Sequence, residues 1–318
     1  MTRMLRSLSL TLALAALAAC GATSCSLFDN QSTPAGYVRH CVRLLDRDGL
    51  YADSPEWKAK KKEVLASAKT ITTLDEAHAV ISEAGHVAGG KHTFLQAPVT
   101  DTTTYTEVAP EVKMLEDGIL HIVLPGHTGV KVSDSLYVHK VFDFLQEHLD
   151  APGVIVDLRD NTGGWVEQAR YIADLFMDDG ELCYLKYRDE EKHGDEYKTK
   201  DGKVDVKLVI LINEHSASSS EILTGALRDC AGAVTVGVKS YGKGIIQGVF
   251  PVGNKGAGYQ MTIAQYFTPG GSAVHKVGIT PDYEVPLPEG DNGTYEFADR
   301  KNDVQLIKAI EVMDELLH

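Results

Sequence analysis

The sequence predicts an α/β protein, because short apolar runs that suit buried strands alternate with segments in which apolar residues recur at helical spacing. The three clearest runs lie within 152–164, 207–213 and 233–238, and predicted helices lie between them. Alternation of this kind is typical of a mostly parallel sheet whose strands are joined by crossover helices. A helical segment precedes the alternating part and is expected to form a small region of its own.

The first twenty residues (1–20) are typical of an export signal, since Arg3 and Arg6 precede an apolar stretch too short to span a membrane. The stretch ends in LAAC, which resembles a bacterial lipobox, and the resemblance implies cleavage before Cys20 and acylation of this cysteine. An exported bacterial lipoprotein, anchored to a membrane on the periplasmic or cell-surface side, is therefore expected. An ordinary secretory signal is the alternative. Residues 21–34 are small and polar, as expected of a tether.

Residues 35–96 are predicted to form a helical N-terminal region, because apolar residues recur there at helical spacing in three groups. The groups are Val38, Cys41, Val42 and Leu45; Trp57, Val64, Leu65 and Ala68; and Leu74, Ala77, Val80 and Ile81. Thr73 and Glu76 predict a capped start for the last of these helices, and Gly85 predicts its end. The segment GGKHTFLQ then breaks the pattern.

Residues 97–318 are expected to form the α/β domain. Two β-like runs on either side of Glu116-Asp117-Gly118 predict a hairpin over 112–125. The other predictions, in order, are a helix over 134–149, a strand with an Asn- and Gly-rich turn over 152–164, a helix over 165–180, a charged hairpin or excursion over 183–202, a strand over 207–213, a helix from about Ser219, a strand over 233–238, an alternating strand over 258–269 and an amphipathic helix over 303–317.

The charge balance argues against a nucleic-acid partner, because the formal net charge is −14 and phosphates would be repelled. The positive block KAKKK at 58–62 is interpreted as a solvated helix face. The cysteines other than Cys20 have no spacing that specifies disulfides, so their pairing stays open. No CxxC or HxxxH pair points to a metal, and neither a metal nor another cofactor is expected.

Four serines crowd the junction between a predicted strand that ends at Asn213 and a predicted helix. They are Ser216, Ser218, Ser219 and Ser220. Ser218 is expected at the carboxyl edge of the sheet and at the head of the helix, where α/β folds bind ligands. Unpaired backbone N–H groups and the helix dipole favour a negative oxygen at such a place. The alternative is that these serines only cap the helix.

Downstream of the serines, SYGKGIIQ places Lys243 between two glycines and Gln247 four positions later. The segments SASSSEILTGALRD and VGVKSYGKGIIQ together resemble the C-terminal processing, or tail-specific, serine peptidases. The resemblance implies that Ser218 is the nucleophile, that Lys243 is its general base and that Gln247 orients the lysine amine. A lysine can take the serine proton only when its amine is neutral, and burial promotes that state by lowering the pKa.

The segment VIVDLRDNTGG also resembles this family, in which the corresponding run supplies an oxyanion donor. The resemblance implies one donor at the backbone N–H of Gly163 or of Gly164 and a second at that of Ser219. The sequence does not choose between the two glycines. Asp157 and Arg159 are assigned to loop architecture, since a buried ion pair or a turn hydrogen bond accounts for both.

Further segments extend the resemblance over most of the chain from Ala35 onward, and it implies the α/β fold that these peptidases share with the ClpP and crotonase proteins. Many relatives insert a PDZ module, but only about 27 residues separate His92 from Leu120, whereas such a fold needs roughly 80. The chain is therefore expected to lack that module. His92 is the rival base, because peptidases of the tricorn type use a histidine at that place in a Ser-His arrangement.

The function expected from these features is that of a serine endopeptidase that hydrolyses peptide bonds in exported proteins or peptides. Its partners are a polypeptide substrate and, through a lipid anchor, a membrane. Two alternatives stay open. One is a noncatalytic peptide- or ligand-binding lipoprotein on the same fold, and the other is a tricorn-like peptidase in which His92 is the base.

Overall fold

The computed structural model describes residues 31–96, 108–115, 117–126, 136–189, 198–199, 204–253, 257–288 and 302–318. The predicted export signal, Cys20 and Cys25 lie outside these ranges. Among the described cysteines, Cys41, Cys183 and Cys230 are free thiols. Within the same ranges, no helix is both long enough and apolar enough to cross a membrane.

Helices and strands alternate between Leu120 and Gly237, except that two strands follow each other there. In chain order they are α1 (Pro34–Asp48), α2 (Pro55–Ser67), α3 (Leu74–Gly89), β1 (Phe94–Gln96), β2 (Glu111–Met114), β3 (Leu120–Val123), α4 (Leu136–Glu147), β4 (Gly153–Asp157), α5 (Val166–Asp174), β5 (Tyr184–Tyr187), β6 (Lys207–Ile212), α6 (Ser219–Ala231), β7 (Val234–Gly237), β8 (Ile245–Val252), β9 (Ala257–Phe267), β10 (Tyr283–Glu284) and α7 (Val304–Leu317).

The larger sheet has the strand order β10-β7-β6-β4-β3-β2, and every neighbouring pair is parallel except β2 with β3. Alternate residues of the central strands serve opposite faces. Val154 of β4 and Ile210 of β6 belong to the core that α4, α5 and α6 cover. Ile155 and Val209 belong to the core that α7 covers on the other face. Helices on both faces explain why these strands are apolar throughout.

The smaller sheet is antiparallel and is built around β9. Strand β8 pairs with one edge of β9, while β1 and β5 pair with the other edge. Helices α1 to α3 cover this sheet, and the core between them contains Trp57 and Ile81 from the helices and Tyr259 and Met261 from β9. The helical region is therefore packed against the antiparallel sheet. Strand β8 of this sheet begins at Ile245, two residues after Lys243.

The structure confirms the predicted α/β fold with a helical N-terminal region. The predicted helix over 165–180 is too long, since α5 ends at Asp174. Phe176 and Met177 follow in a tight turn, where both backbone N–H groups donate to the Ala173 carbonyl at 2.9 Å. The chain leaves the helix at this point, and both side chains are buried in the core.

The predicted end of the third helix at Gly85 is wrong. Helix α3 starts at the predicted Thr73–Glu76 capping box but continues to Gly89 and is closed by Gly90, which has a φ of 74°. Gly85 is instead a contact point between α3 and β9. A Cβ atom at this position would overlap the Tyr259 hydroxyl and lie 3.0 Å from Cγ2 of Thr93. The glycine therefore allows the helix to approach the sheet.

This packing predicts that Gly85→Ala destabilises the protein, although alanine is the better helix former. The added methyl group collides with the Tyr259 hydroxyl, and overpacking of this kind typically costs about 1–3 kcal/mol. Urea unfolding measures the loss. Tyr259→Phe removes the hydroxyl and its bond to the Ile81 carbonyl at 2.8 Å. The double variant should lose less stability than the two single variants together, and strict additivity would contradict this explanation.

Candidate active site

The Ser218 turn joins the end of β6 to the start of α6. Ser218 has φ 60° and ψ −121°, a backbone conformation that residues other than glycine rarely adopt. Such a conformation costs about 1–3 kcal/mol and persists only where surrounding contacts hold it. Ser219, the first residue of α6, is fully buried. Backbone strain is thus concentrated at the residue that the sequence predicts to be the nucleophile.

Two other serines of the cluster hold this turn in place. The Ser216 hydroxyl donates to the Leu158 carbonyl at 2.7 Å, and the Ser220 hydroxyl donates to the Asn161 carbonyl at 2.9 Å. No hydrogen bond donated by the Ser218 hydroxyl is found within the described part of the chain. Ser216 and Ser220 are therefore structural, whereas the Ser218 proton has no acceptor there.

The Glu221 carboxylate connects the Ser218 turn to the Lys243 loop, the segment 238–244 between β7 and β8. Glu221 is fully buried, and its Oε2 accepts hydrogen bonds from the backbone N–H groups of Ser218 and Lys243, each at 2.9 Å. Its Oε1 accepts from the Gly242 N–H at 2.7 Å and from the Ser240 hydroxyl at 2.6 Å. One side chain thereby fixes the backbone of both predicted catalytic residues.

The Tyr266 hydroxyl makes the same connection from β9. It lies within donating distance of two carbonyl oxygens, that of Ser218 at 3.0 Å and that of Lys243 at 2.9 Å. Burial raises the pKa of Tyr266 well above its ordinary value, so the hydroxyl keeps its proton at neutral pH. Glu221 and Tyr266 together hold the N–H and the C=O of both residues.

Lys243 lies between β7 and β8 and is partly buried. Burial lowers the pKa of its amine, the charge of Lys91 lowers it further, and Glu221 opposes both effects. In the described ranges Lys243 forms no ion pair. Gly244 packs so closely against the backbone of His275 that a side chain would not fit. The surroundings of Lys243 therefore shift the equilibrium of its amine toward the neutral form.

The Asn161 loop, residues 158–164, is organised by the side chain of Asn161. Its Nδ2 donates to the carbonyls of Leu124 and Pro125 at 3.0 and 2.9 Å. Its Oδ1 accepts the Gly163 N–H at 2.9 Å. The predicted buried ion pair of Asp157 and Arg159 lies at the start of this loop, with Nη2 and Oδ2 2.7 Å apart.

Gly163, the first of two glycines in this loop, lies against the Ser218 turn. A Cβ atom at Gly163 would lie 2.7 Å from Cβ of Ser218 and 2.9 Å from the nitrogen of Ser219, so a larger residue does not fit. Both glycines have positive φ, 88° for Gly163 and 143° for Gly164. The Gly163 N–H is engaged with Asn161, whereas the Gly164 N–H donates to no group in the described ranges. The two glycines are therefore not equivalent.

Gln247 is the third residue of β8, next to a β-bulge between Ile246 and Gln247. Its Nε2 is buried, and no acceptor for it exists among the described residues. Bulges are frequent beside active sites because they re-aim a side chain. Gln247 thus follows Lys243 on the strand that the lysine loop enters.

His92 lies just before β1, and its carbonyl accepts a hydrogen bond from Gln260 Nε2 at 3.2 Å. Burial lowers the pKa of His92, and the charges of Lys243, Lys91 and His275 lower it further. The influence of Lys243 means that the two candidate bases share one neighbourhood. The pKa of each of the two groups is lowered.

Neither Glu221 nor Tyr266 was predicted from the sequence to be a site residue. Glu221 carries a signal, because a serine followed three positions later by glutamate is the pattern of a capping box. Tyr266 belongs to a regularly alternating strand, and nothing in the local pattern separates it from its neighbours.

The comparisons with known proteins concern the segment that contains this site. The model of Peptidase family S41 matches residues 127–285, half of the chain. A carboxy-terminal-processing protease of Bartonella bacilliformis is 41% identical over 143 residues, which cover 43% of this chain and 32% of that protein. The chloroplastic carboxyl-terminal-processing peptidase 1 of Arabidopsis thaliana is 33% identical over 181 residues, 56% of this chain and 36% of that protein. The chain spans about a third of the length of these relatives.

Two solved structures share the fold over most of the chain. A lipoprotein from Streptococcus agalactiae superposes with a TM-score of 0.71 at 20% identity, over 89% of this chain and 96% of that one. The photosystem II D1 C-terminal processing protease superposes with a TM-score of 0.60 at 17% identity, over 80% of this chain and 94% of that one. With the family model matching half of its length, the chain belongs to Peptidase family S41.

Proposed function

We propose that the chain is a serine endopeptidase that hydrolyses peptide bonds in exported proteins or peptides, with Ser218 as the nucleophile and Lys243 as the general base. The observation that carries this proposal is the Glu221 carboxylate, whose Oε2 accepts the backbone N–H groups of both residues at 2.9 Å. Membership of a peptidase family and the strained backbone of Ser218 give further support.

The reaction begins when the neutral Lys243 amine removes the proton of the Ser218 hydroxyl while its oxygen attacks the peptide carbonyl carbon. The oxyanion that forms is stabilised by the backbone N–H groups of Gly164 and Ser219 and by the N-terminal end of α6. The Lys243 ammonium then gives its proton to the leaving amine as the C–N bond breaks, which leaves an acyl ester on Ser218. Lys243 next deprotonates a water molecule, whose oxygen attacks the ester carbonyl. As the bond between the acyl carbon and the Ser218 oxygen breaks, the Lys243 ammonium returns the proton to that oxygen and the acid product leaves.

The first oxyanion donor is assigned to Gly164 rather than to Gly163. The Gly163 N–H already donates to Asn161 Oδ1 at 2.9 Å and would have to break that bond. Gln247 is assigned the role of orienting the Lys243 amine. Its amide oxygen can accept a hydrogen bond from the neutral amine without the negative charge that would stabilise an ammonium ion.

Ser218→Ala should abolish peptide cleavage, since it removes the attacking oxygen. Loss of a serine nucleophile lowers kcat by about 10⁴-fold or more in enzymes of this kind. Cleavage of denatured casein and of a fluorogenic peptide library measures the effect, with Ser272→Ala, an exposed residue outside the site, as the control. Wild-type turnover that survives in Ser218→Ala would rule out Ser218 as the nucleophile. Binding of peptides without any cleavage by the wild type would favour the noncatalytic alternative.

The activity should rise with pH as Lys243 loses its proton, because only the neutral amine is a base. The midpoint of kcat/KM against pH should lie below the ordinary lysine pKa of 10.5, since burial and Lys91 both lower the pKa of Lys243. Lys91→Met removes the neighbouring charge, so the midpoint should move to higher pH. Lys58→Met, an exposed lysine of α2, serves as the control and should leave it in place.

The same measurement separates Lys243 from the rival base. If His92 is the base, the midpoint falls below the ordinary histidine pKa of 6.5, because burial and nearby charges lower the pKa of His92. Under the proposal, Lys243→Ala abolishes cleavage while His92→Ala retains a lysine-like pH profile. Loss of cleavage in folded His92→Ala together with its retention in Lys243→Ala would reverse the assignment.

The lipid anchor is proposed on the sequence LAAC at 17–20. Metabolic labelling with a palmitate analogue in a bacterial host should label the wild type and sediment it with membranes. Cys20→Ala should abolish the label and release the protein into the soluble fraction, while Cys230→Ala, an exposed thiol, should change neither. A wild type that is unlabelled and soluble would identify an ordinary secretory signal instead.

A further inference from the structure

We propose that the C-terminal helix α7 positions the Asn161 loop for catalysis through an ion pair between Asp303 and Arg159, which makes Asp303 a positioning residue. The inference rests on the proposed peptidase function, because the loop contains Gly164, the assigned oxyanion donor. Nothing in the sequence motifs connects Asp303 to the site.

The Arg159 guanidinium is held between two carboxylates. Nη1 and Nη2 donate to Oδ1 and Oδ2 of Asp303 at 2.9 and 2.7 Å, which is a bidentate pair. Nε and Nη2 donate to Oδ1 and Oδ2 of Asp157 at 3.0 and 2.7 Å. The side chains of Arg159, Asp157 and Asp303 are only 14%, 4% and 3% exposed. Asp157 accepts from Nε and Nη2 but not from Nη1, so Asp303 fixes the edge of the guanidinium that Asp157 leaves without a partner.

Asp303 is itself fixed by the helix that it caps. Its Oδ1 accepts the backbone N–H groups of Gln305 and Leu306 at 3.2 and 2.9 Å. The Gln305 side chain adds a bond from Arg159 Nη1 to its Oε1 at 3.2 Å. Leu306 is fully buried in the core between α7 and the sheet. The packing of α7 on the sheet therefore determines where Asp303 holds Arg159.

Arg159 acts on the Asn161 loop through the chain itself. The next residue, Asp160, has a φ of 58°, and its N–H donates to Asn213 Oδ1 at 2.9 Å. Asn161 follows, and its carbonyl accepts the Ala217 N–H at 2.9 Å, immediately before Ser218. Arg159 and Asn161 are two residues apart, so a shift of Arg159 also moves Asn161, whose Oδ1 accepts the Gly163 N–H. The position of the Gly164 N–H depends on the same units.

Asp303→Asn tests this coupling, because asparagine caps helices as well as aspartate does but offers Arg159 one acceptor oxygen instead of two. We expect kcat to fall about 10-fold while KM changes less than about twofold, since the loss lies in transition-state stabilisation. Glu311→Gln is the matched control. It makes the same carboxylate-to-amide change at an exposed position of α7, where the carboxylate pairs with Lys308, and at a temperature where both variants are folded it should keep the wild-type kcat.

A second readout does not depend on turnover. The backbone amide resonances of Gly163 and Gly164 in ¹H–¹⁵N spectra should shift in Asp303→Asn and stay in place in Glu311→Gln. Unchanged glycine resonances in Asp303→Asn overturn the inference, as does a kcat of Asp303→Asn that falls only in proportion to its folded fraction. A wild type that cleaves no peptide, with the glycine shifts still specific to Asp303→Asn, overturns the proposed peptidase function and leaves the coupling of α7 to the loop standing.

Discussion

A carboxylate that is removed from water is costly unless its oxygens are hydrogen-bonded, and Glu221 is fully buried. Its four donors come from two separate segments, the Ser218 turn and the loop from Ser240 to Lys243. Moving either segment would leave lone pairs of a buried charge without partners. The relative position of the two segments is therefore set by the desolvation of one side chain, and the chemistry proposed for Ser218 and Lys243 depends on that position.

This constraint explains how strain at Ser218 is tolerated. A positive φ at a serine raises the free energy of the native state by about 1–3 kcal/mol, and contacts on every side must oppose relaxation. Glu221 holds the Ser218 N–H at 2.9 Å and Tyr266 approaches its carbonyl at 3.0 Å. Gly163 packs against its Cβ. Backbone strain and polar bonds thus converge on one partly buried residue, and backbone strain of this kind is found most often at functional sites.

The short apolar runs between predicted helices predicted the strands of the parallel sheet, because a continuous run of apolar residues is a local property of the sequence. Ser218 and Lys243 were found through short motifs, which are also local. The contacts that the sequence did not reveal join distant segments. Tyr266 reaches Ser218 across 48 positions and Arg159 reaches Asp303 across 144. Gly85 was mistaken for a helix end for the same reason, since its neighbour Tyr259 lies on another element.

As the proposed base, Lys243 needs both a fixed backbone and an amine of lowered pKa, and Glu221 affects the two in opposite ways. The Lys243 backbone is held by a carboxylate, yet a carboxylate also raises the pKa of the amine and so favours the inactive ammonium form. The conflict is reduced because both oxygens of Glu221 already accept hydrogen bonds from backbone N–H groups and from Ser240, which disperse its negative charge. Burial and the nearby charge of Lys91 then prevail, and the pKa of Lys243 is lowered. Glu221 therefore holds the Lys243 backbone while the net effect of the surroundings on the pKa of the amine remains a lowering.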